Sequence, residues 1–195
     1  MRTAIRQDVR PLLAPAALRA RVAQSLDPVS SIVARDLAVI QAFRRDYDAA
    51  LEQCDHTIEL NPHFSPAYWA LGFIQEQRQD FDEAAAAFQR AIHLSPHTPR
   101  LQGALARTYA LSGKQKLALG IVRKLERLSK NRYVSPFEFA AIRFALGQID
   151  LGFTWLTRAC QDRAFDLIHI KVDPRFDPLR NDRRFAAVER QVGVV

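Results

Sequence analysis

The frame Leu-x-Pro recurs at a fixed interval. Leu26-Asp27-Pro28, Leu60-Asn61-Pro62 and Leu94-Ser95-Pro96 follow one another at 34 residues. Proline donates no backbone hydrogen bond and clashes with the preceding turn, so each frame closes a helix. An internal period of roughly 20 to 50 residues marks stacked supersecondary units, each too small to bury its own apolar face.

Windows of that length, 31–64, 65–98, 99–132 and 133–166, bring other positions into register. The seventh position reads Leu37, Leu71, Leu105, Phe139, always large. The eighth reads Ala38, Gly72, Ala106, Ala140, and the twentieth Ala50, Ala84, Ala118, Gly152, always small. The twenty-fourth reads Cys54, Phe88, Val122, Leu156, and the twenty-seventh Thr57, Ala91, Leu125, Ala159. Small residues let two helix backbones approach while large ones fill the groove beside them. The pattern predicts two antiparallel helices per window, turning near Arg45-Asp46, Gln79-Asp80, Gly113-Lys114 and Gly147-Gln148. Seven glycines in 195 residues, without alternating Val/Ile/Thr runs, exclude a β-rich fold.

With these positions the windows resemble tetratricopeptide repeats (TPRs): small at eight, alanine at twenty, proline at thirty-two. The window 65–98 matches best, with Tyr68, Leu71, Gly72, Ala84, Phe88, Ala91 and Pro96 in place. The first has Ala34 where an aromatic is usual, and the third ends in Lys130 rather than proline. The fourth is degenerate, with Pro136 at its start and Ala164 at the proline position. Upstream, Ala16, Ala20, Ala23 and Pro28 fit the second half of a further repeat. The resemblance implies an all-α, right-handed superhelical solenoid forming one domain: a half repeat at 11–30, three repeats, a degenerate repeat at 133–166 and a tail at 167–195. In that tail Pro174 and Pro178 forbid a continuous helix. Phe185, Val188 and Val192 then mark one face of a terminal helix, with Asn181 or Asp182 as its cap. A solenoid ending bare would expose an apolar face, so the tail reads as a cap in which Phe176 and Leu179 also pack.

Function in such a stack resides in the side chains of its concave groove. By the family's pattern the groove is lined by Arg35, Val39, Phe43, Trp69, Phe73, Gln77, Arg100, Arg107, Phe137 and Phe144. Aromatic and arginine linings suit a protein or peptide ligand carrying apolar anchors and carboxylates. The family's carboxylate-gripping subclass is disfavoured, because Val39 and Ala70 stand where it places asparagines. The tail also resembles the end of TPR regions in bacterial signalling proteins, where an effector domain often precedes the repeats. No glycine-rich phosphate loop or kinase-type His-Arg-Asp is present here, so the alternative reading is a regulatory fragment acting through a separate effector.

Charge is unevenly spread. Residues 31–98 carry 5 basic and 10 acidic side chains, whereas 99–132 carry 9 basic and 1 acidic. A basic outer helix can attract acidic proteins or phosphate backbones. A solvated face is the simpler reading, and the repeat length does not match helical-repeat RNA readers, so nucleic acid is disfavoured. Acidic and basic halves of two molecules could also meet, giving a homo-oligomer.

Chemistry finds little support. His93 and His97 are separated by Ser95-Pro96, which should end their helix and spoil an i,i+4 metal pair. Cys54 and Cys160 fall at or beside core positions and read as small hydrophobes. Asp80, Asp82 and Glu83 sit at a turn and suit the start of the next helix. No enzymatic activity, metal or cofactor is expected. The apolar runs are too short to span a bilayer. Arg10, Arg19, Arg21, Pro11 and Pro15 interrupt any signal-peptide core, and two cysteines make no disulfide framework. A cytoplasmic interaction module is the expectation.

Overall fold

The computed structural model describes residues 9–193, and among these there is helix but no strand. The helices are α1 (Arg10–Leu26), α2 (Ser31–Phe43), α3 (Tyr47–Leu60), α4 (Ser65–Arg78) and α5 (Phe81–Leu94). They continue as α6 (Pro99–Leu111), α7 (Gln115–Leu128), α8 (Pro136–Ala145), α9 (Ile149–Gln161) and α10 (Arg183–Val192). Two 3-10 turns, Phe165–His169 and Pro174–Leu179, lie between α9 and α10. The first eight residues, part of the stretch read against a signal peptide, lie outside the described residues. The chain divides into two compact units, Gln7–His97 and Thr98–Val195.

The turns fall where the 34-residue register puts them. Each first helix ends in a left-handed residue: Arg45 (φ 64°), Gln79 (φ 70°), Gly113 (φ 77°) and Gly147 (φ 73°). The next N–H then reaches back to an orphan carbonyl: Asp46 to Gln41 at 3.0 Å, Asp80 to Gln75 at 2.9 Å, Gln148 to Arg143 at 2.9 Å. This closes the helix and reverses the chain. Arginine and glutamine occupy a conformation that costs an L-residue with a Cβ about 1–2 kcal/mol.

In the unit Gln7–His97, α2 pairs with α3 and α4 with α5, and α1 packs on α2. Ala38, Ala50 and Ala84 are fully buried. At Gly72 an added Cβ would lie 2.8 Å from the Phe88 ring, so only glycine allows this approach. The Ser65 hydroxyl donates to the Ala91 carbonyl at 3.0 Å, tying the start of α4 to the end of α5. Asp80 precedes α5 but makes no side-chain cap bond; it pairs with Arg78 at 3.2 Å. Asp82 and Glu83 occupy the first turn of α5, where the helix dipole favours negative charge. As a half repeat, α1 buries only Ala17 and leaves Leu12, Leu18, Val22 and Leu26 exposed.

In the unit Thr98–Val195, α6 pairs with α7 and α8 with α9. The Trp155 ring stacks on Phe139 with centroids 4.5 Å apart, over Val122, Leu125 and Ile142. Gly152 admits the Phe144 ring, which occupies the space of a Cβ. The tail joins this core: Leu167, Ile170, Phe176, Leu179, Phe185 and Val188 cluster with Phe137, Phe153 and Leu156. The Asp182 carboxylate accepts the Arg184 N–H at 2.9 Å and so caps α10. The Arg184 guanidinium also donates to Asp182 and reaches Asp150 on α9 at 2.7 Å. Arg184's side-chain and backbone hydrogen bonds hold the Asp182 carboxyl down to about 2. The apolar residues of the tail thus pack against the last helix pair.

Candidate peptide-binding faces

The positions expected to meet a ligand lie on the first helix of each pair, and the two units treat them differently. In the unit Thr98–Val195 the chain itself covers Arg107 and Phe137, while Arg100 keeps 45% of its side chain exposed. Arg100 and Arg107 project from α6 and Phe137 and Phe144 from α8. The segment holding the two 3-10 turns crosses them. Phe176 sets its ring against Phe137 at 5.5 Å and Phe144 at 6.2 Å between centroids. The Arg175 guanidinium lies over the Phe137 ring at 4.9 Å. It also donates to both oxygens of Asp173, from Nη2 at 2.6 Å and from Nε at 3.0 Å. Asp166 approaches Arg100 at 3.8 Å. Arg180 ties the segment from below, donating to the Asp173 carbonyl at 3.2 Å. Phe137 is left fully buried and Arg107 nearly so. These two residues, expected to line an open groove, are inside the structure because the tail supplies their partners.

The covered face is a charge cluster as well as an aromatic one. Arg100, Arg107 and Arg175 stand among Glu138, Asp166 and Asp173. Gly103 makes room for Glu138, whose Oε2 lies 2.5 Å from the place a Cβ would take. Burial pushes the Glu138 carboxyl up to about 7, and the Asp166 charge adds to this. The Arg107 guanidinium is brought down to about 9 by burial first and then by Arg175. Burial alone would raise Asp173, but the charge and hydrogen bonds of Arg175 outweigh it and leave the carboxyl below its ordinary range. His169 is lowered chiefly by burial. A cavity of about 120 Å³ remains beside the cluster, walled by Arg107, Phe144, Phe176 and Leu179.

In the unit Gln7–His97 the corresponding aromatic residues form a buried row, with Phe43 at 5%, Trp69 at 8% and Phe73 at 2% exposure. Trp69 and Phe73, one turn apart on α4, stack at 5.6 Å, and Phe43 of α2 meets Phe73 edge-on at 5.9 Å. The three rings form a row across α2 and α4. Trp69 is only 8% exposed, and one face of its ring stacks on Phe73. Val39 and Gln77 flank the row half-buried. Arg35 keeps 27% of its side chain exposed and pairs with Asp36 at 3.0 Å. Its Nε is buried without a hydrogen-bond partner among the described residues.

The charge cluster itself was not expected from sequence. Asp166, Asp173 and Arg175 carry no periodicity, and Glu138 reads as an ordinary helix residue. The one available signal is Gly103, a glycine inside a helix with no turn to make.

Among the described residues no group of three or more His, Cys, Asp or Glu side chains could hold a metal ion. α5 ends at Leu94, between His93 and His97. Cys54 is buried and its thiol is pushed up to about 12 by burial. Cys160 is half-buried, and its thiol too is raised by burial. No helix of the described residues is long and apolar enough to cross a membrane.

The tetratricopeptide repeat profile matches residues 35–99 and 70–133, together just over half of the 195 residues. The chain belongs to the tetratricopeptide repeat family. Solved structures share the TPR fold along most of its length. YrrB, a TPR protein with an unusual peptide-binding site, is 16% identical at a TM-score of 0.53, covering 90% of this chain and 91% of that one. MamA is 17% identical at a TM-score of 0.54, covering 84% and 96%. The pilF protein of Pseudomonas aeruginosa is 18% identical at a TM-score of 0.57, covering 95% and 85%. No curated protein matches the chain. TPR helix pairs serve in general as protein–protein interaction modules, and the fold places this chain in that class.

Proposed function

We propose that this TPR chain is a non-catalytic interaction module whose ligand is a peptide or protein segment with apolar and acidic side chains. Its receiving face is that of α2 and α4, where the half-buried Arg35, Val39 and Gln77 stand beside the buried row of Phe43, Trp69 and Phe73. Arg100, Arg107 and Phe137, which carry the same chemistry, are engaged by the tail and fall outside this face.

The observation that carries the reading is the way the C-terminal unit holds its own tail. There a phenylalanine docks between aromatic rings of the first helix while aspartates lie beside arginines of the same face. An aromatic row with a flanking arginine recurs on α2 and α4. Among the described residues the Nε of Arg35 has no acceptor, and a ligand carboxylate would supply one. Charge-assisted hydrogen bonds of that kind exceed neutral ones about twofold in strength. YrrB, similar in fold, is a TPR protein with a peptide-binding site, which supports a peptide as the kind of ligand.

Selection of peptides from a random display library on the immobilised protein tests it. The reading expects enriched sequences that combine an aromatic or long aliphatic residue with Asp or Glu a few positions away. Enrichment of basic peptides, or binding unaffected by Arg35→Glu, would overturn it.

A further inference from the structure

Two outer helices of this chain carry matched stripes of opposite charge. On α3, Asp48, Glu52, Asp55 and Glu59 are all exposed. Their spacing of four, three and four residues sets them on one helix face. The helix holds no lysine or arginine, and Asp48 makes one surface bridge, to Arg78 at 2.9 Å. The same repeat positions on α7, 68 residues on, are Lys116, Gly120, Arg123 and Arg127. The three cations are exposed, as is the adjacent Lys124. The single acid of α7, Glu126, points at Arg143, 3.2 Å away. Each stripe runs about 16 Å along its helix at 1.5 Å per residue.

Gly120 adds an independent observation. A Cβ built there meets nothing within 4 Å, so nothing among the described residues requires a glycine. In a helix interior it costs about 1 kcal/mol relative to alanine. It leaves a notch in the centre of the basic stripe, opposite the place Glu52 takes in the acidic one.

We propose that the basic face of α7 docks on the acidic face of α3 of a second copy of this chain. Equal length, equal spacing and opposite sign give complementary potentials, and the notch at Gly120 lets the two helices approach. A nucleic acid or an anionic membrane would account for the α7 stripe alone, would leave the acidic α3 stripe unexplained, and would need no match in spacing. The contact is between different surfaces of the two copies. The formal net charge of +7 opposes association at very low salt, where repulsion is long-ranged. At about 0.1 M the Debye length of about 10 Å confines the effect to groups in contact, and at about 1 M it falls to about 3 Å and weakens those too.

Sedimentation velocity on the full chain with two charge-reversal variants tests this. Glu52→Lys with Asp55→Lys and Glu59→Lys makes α3 basic, and Arg123→Glu with Arg127→Glu makes α7 acidic. All five residues are exposed, so far-ultraviolet circular dichroism and melting should match the parent. At about 0.1 M salt the parent self-associates, and each variant alone loses at least about tenfold in affinity, as like-charge contact requires. An equimolar mixture of the two variants recovers association, because every α3–α7 contact is again between opposite charges. A parent that stays monomeric, variants that associate like the parent, or a mixture that fails to recover would each overturn the proposal. So would loss of binding to RNA or anionic vesicles on α7 reversal with self-association unmoved.

Discussion

Raising the pH from about 5 to about 8 should weaken the C-terminal unit through Glu138, and Glu138→Gln should remove that loss. Glu138 is 3% exposed, and burial lifts its carboxyl from 4.5 to about 7. Between those values the folded chain keeps a proton that the unfolded chain has released. The stabilising proton is fully held below pH 4.5 and is lost as pH rises through about 7. At about 1.36 kcal/mol per unit, the displacement corresponds to roughly 3 kcal/mol. His169 acts in the opposite direction. Its depressed value means the unfolded chain takes up the proton first as pH falls below 6.5, which lowers stability toward acid. Asp173, also depressed, matters only below 3.8. The informative quantity is therefore the difference between the parent and Glu138→Gln, in which the His169 contribution cancels. Urea unfolding followed by Trp155 fluorescence, with Trp69→Phe in both proteins, reports on this unit alone. The stability of the parent relative to Glu138→Gln should fall by about 3 kcal/mol across the range. A difference that stays level within about 0.5 kcal/mol, or rises, would refute the placement of Glu138 as a buried carboxyl.

Gly72→Leu should lower the melting temperature and cost about 1–3 kcal/mol or more, since its Cβ would enter the Phe88 ring; an unchanged melt would contradict the α4–α5 packing. Gln79→Gly should raise stability by about 0.5–1 kcal/mol in denaturant unfolding, because it relieves a left-handed residue that carries a Cβ. Phe176→Ala should cost about 3–5 kcal/mol in the same assay, since its ring fills the space between Phe137, Phe144 and Phe185. Removing residues 173–195 should produce aggregation visible by light scattering, as it uncovers the apolar cluster that Phe185 and Val188 close.

The helices were legible because their determinants are local and repeated. Leu-x-Pro stops α1, α3 and α5, and the small residues at Ala38, Gly72, Ala106 and Ala140 recur at one register. The burial of Phe176, Leu179, Phe185 and Val188 was legible because they are apolar in an otherwise charged stretch. The tail's course over Arg100, Arg107 and Phe137 was not. Contacts such as Asp166–Arg100 join segments far apart in sequence and leave no period. Trp69 and Phe73 show a second limit. Aromatics one turn apart can line a surface or stack on each other, and the spacing is identical in both cases. Here Trp69 stacks on Phe73 and is 8% exposed.

The central claim is that a ligand with apolar and acidic side chains seats on α2 and α4. Isothermal titration of a display-selected peptide into the parent and into Arg35→Glu protein measures it most directly. The account predicts a loss of more than about tenfold for Arg35→Glu, near 2 kcal/mol, as expected for an interface arginine anchor. Reversal of Arg123 and Arg127 on α7 should leave that affinity unchanged. Full affinity in Arg35→Glu, with binding lost on reversal of α7 instead, would contradict the account and move the site to the outer helix.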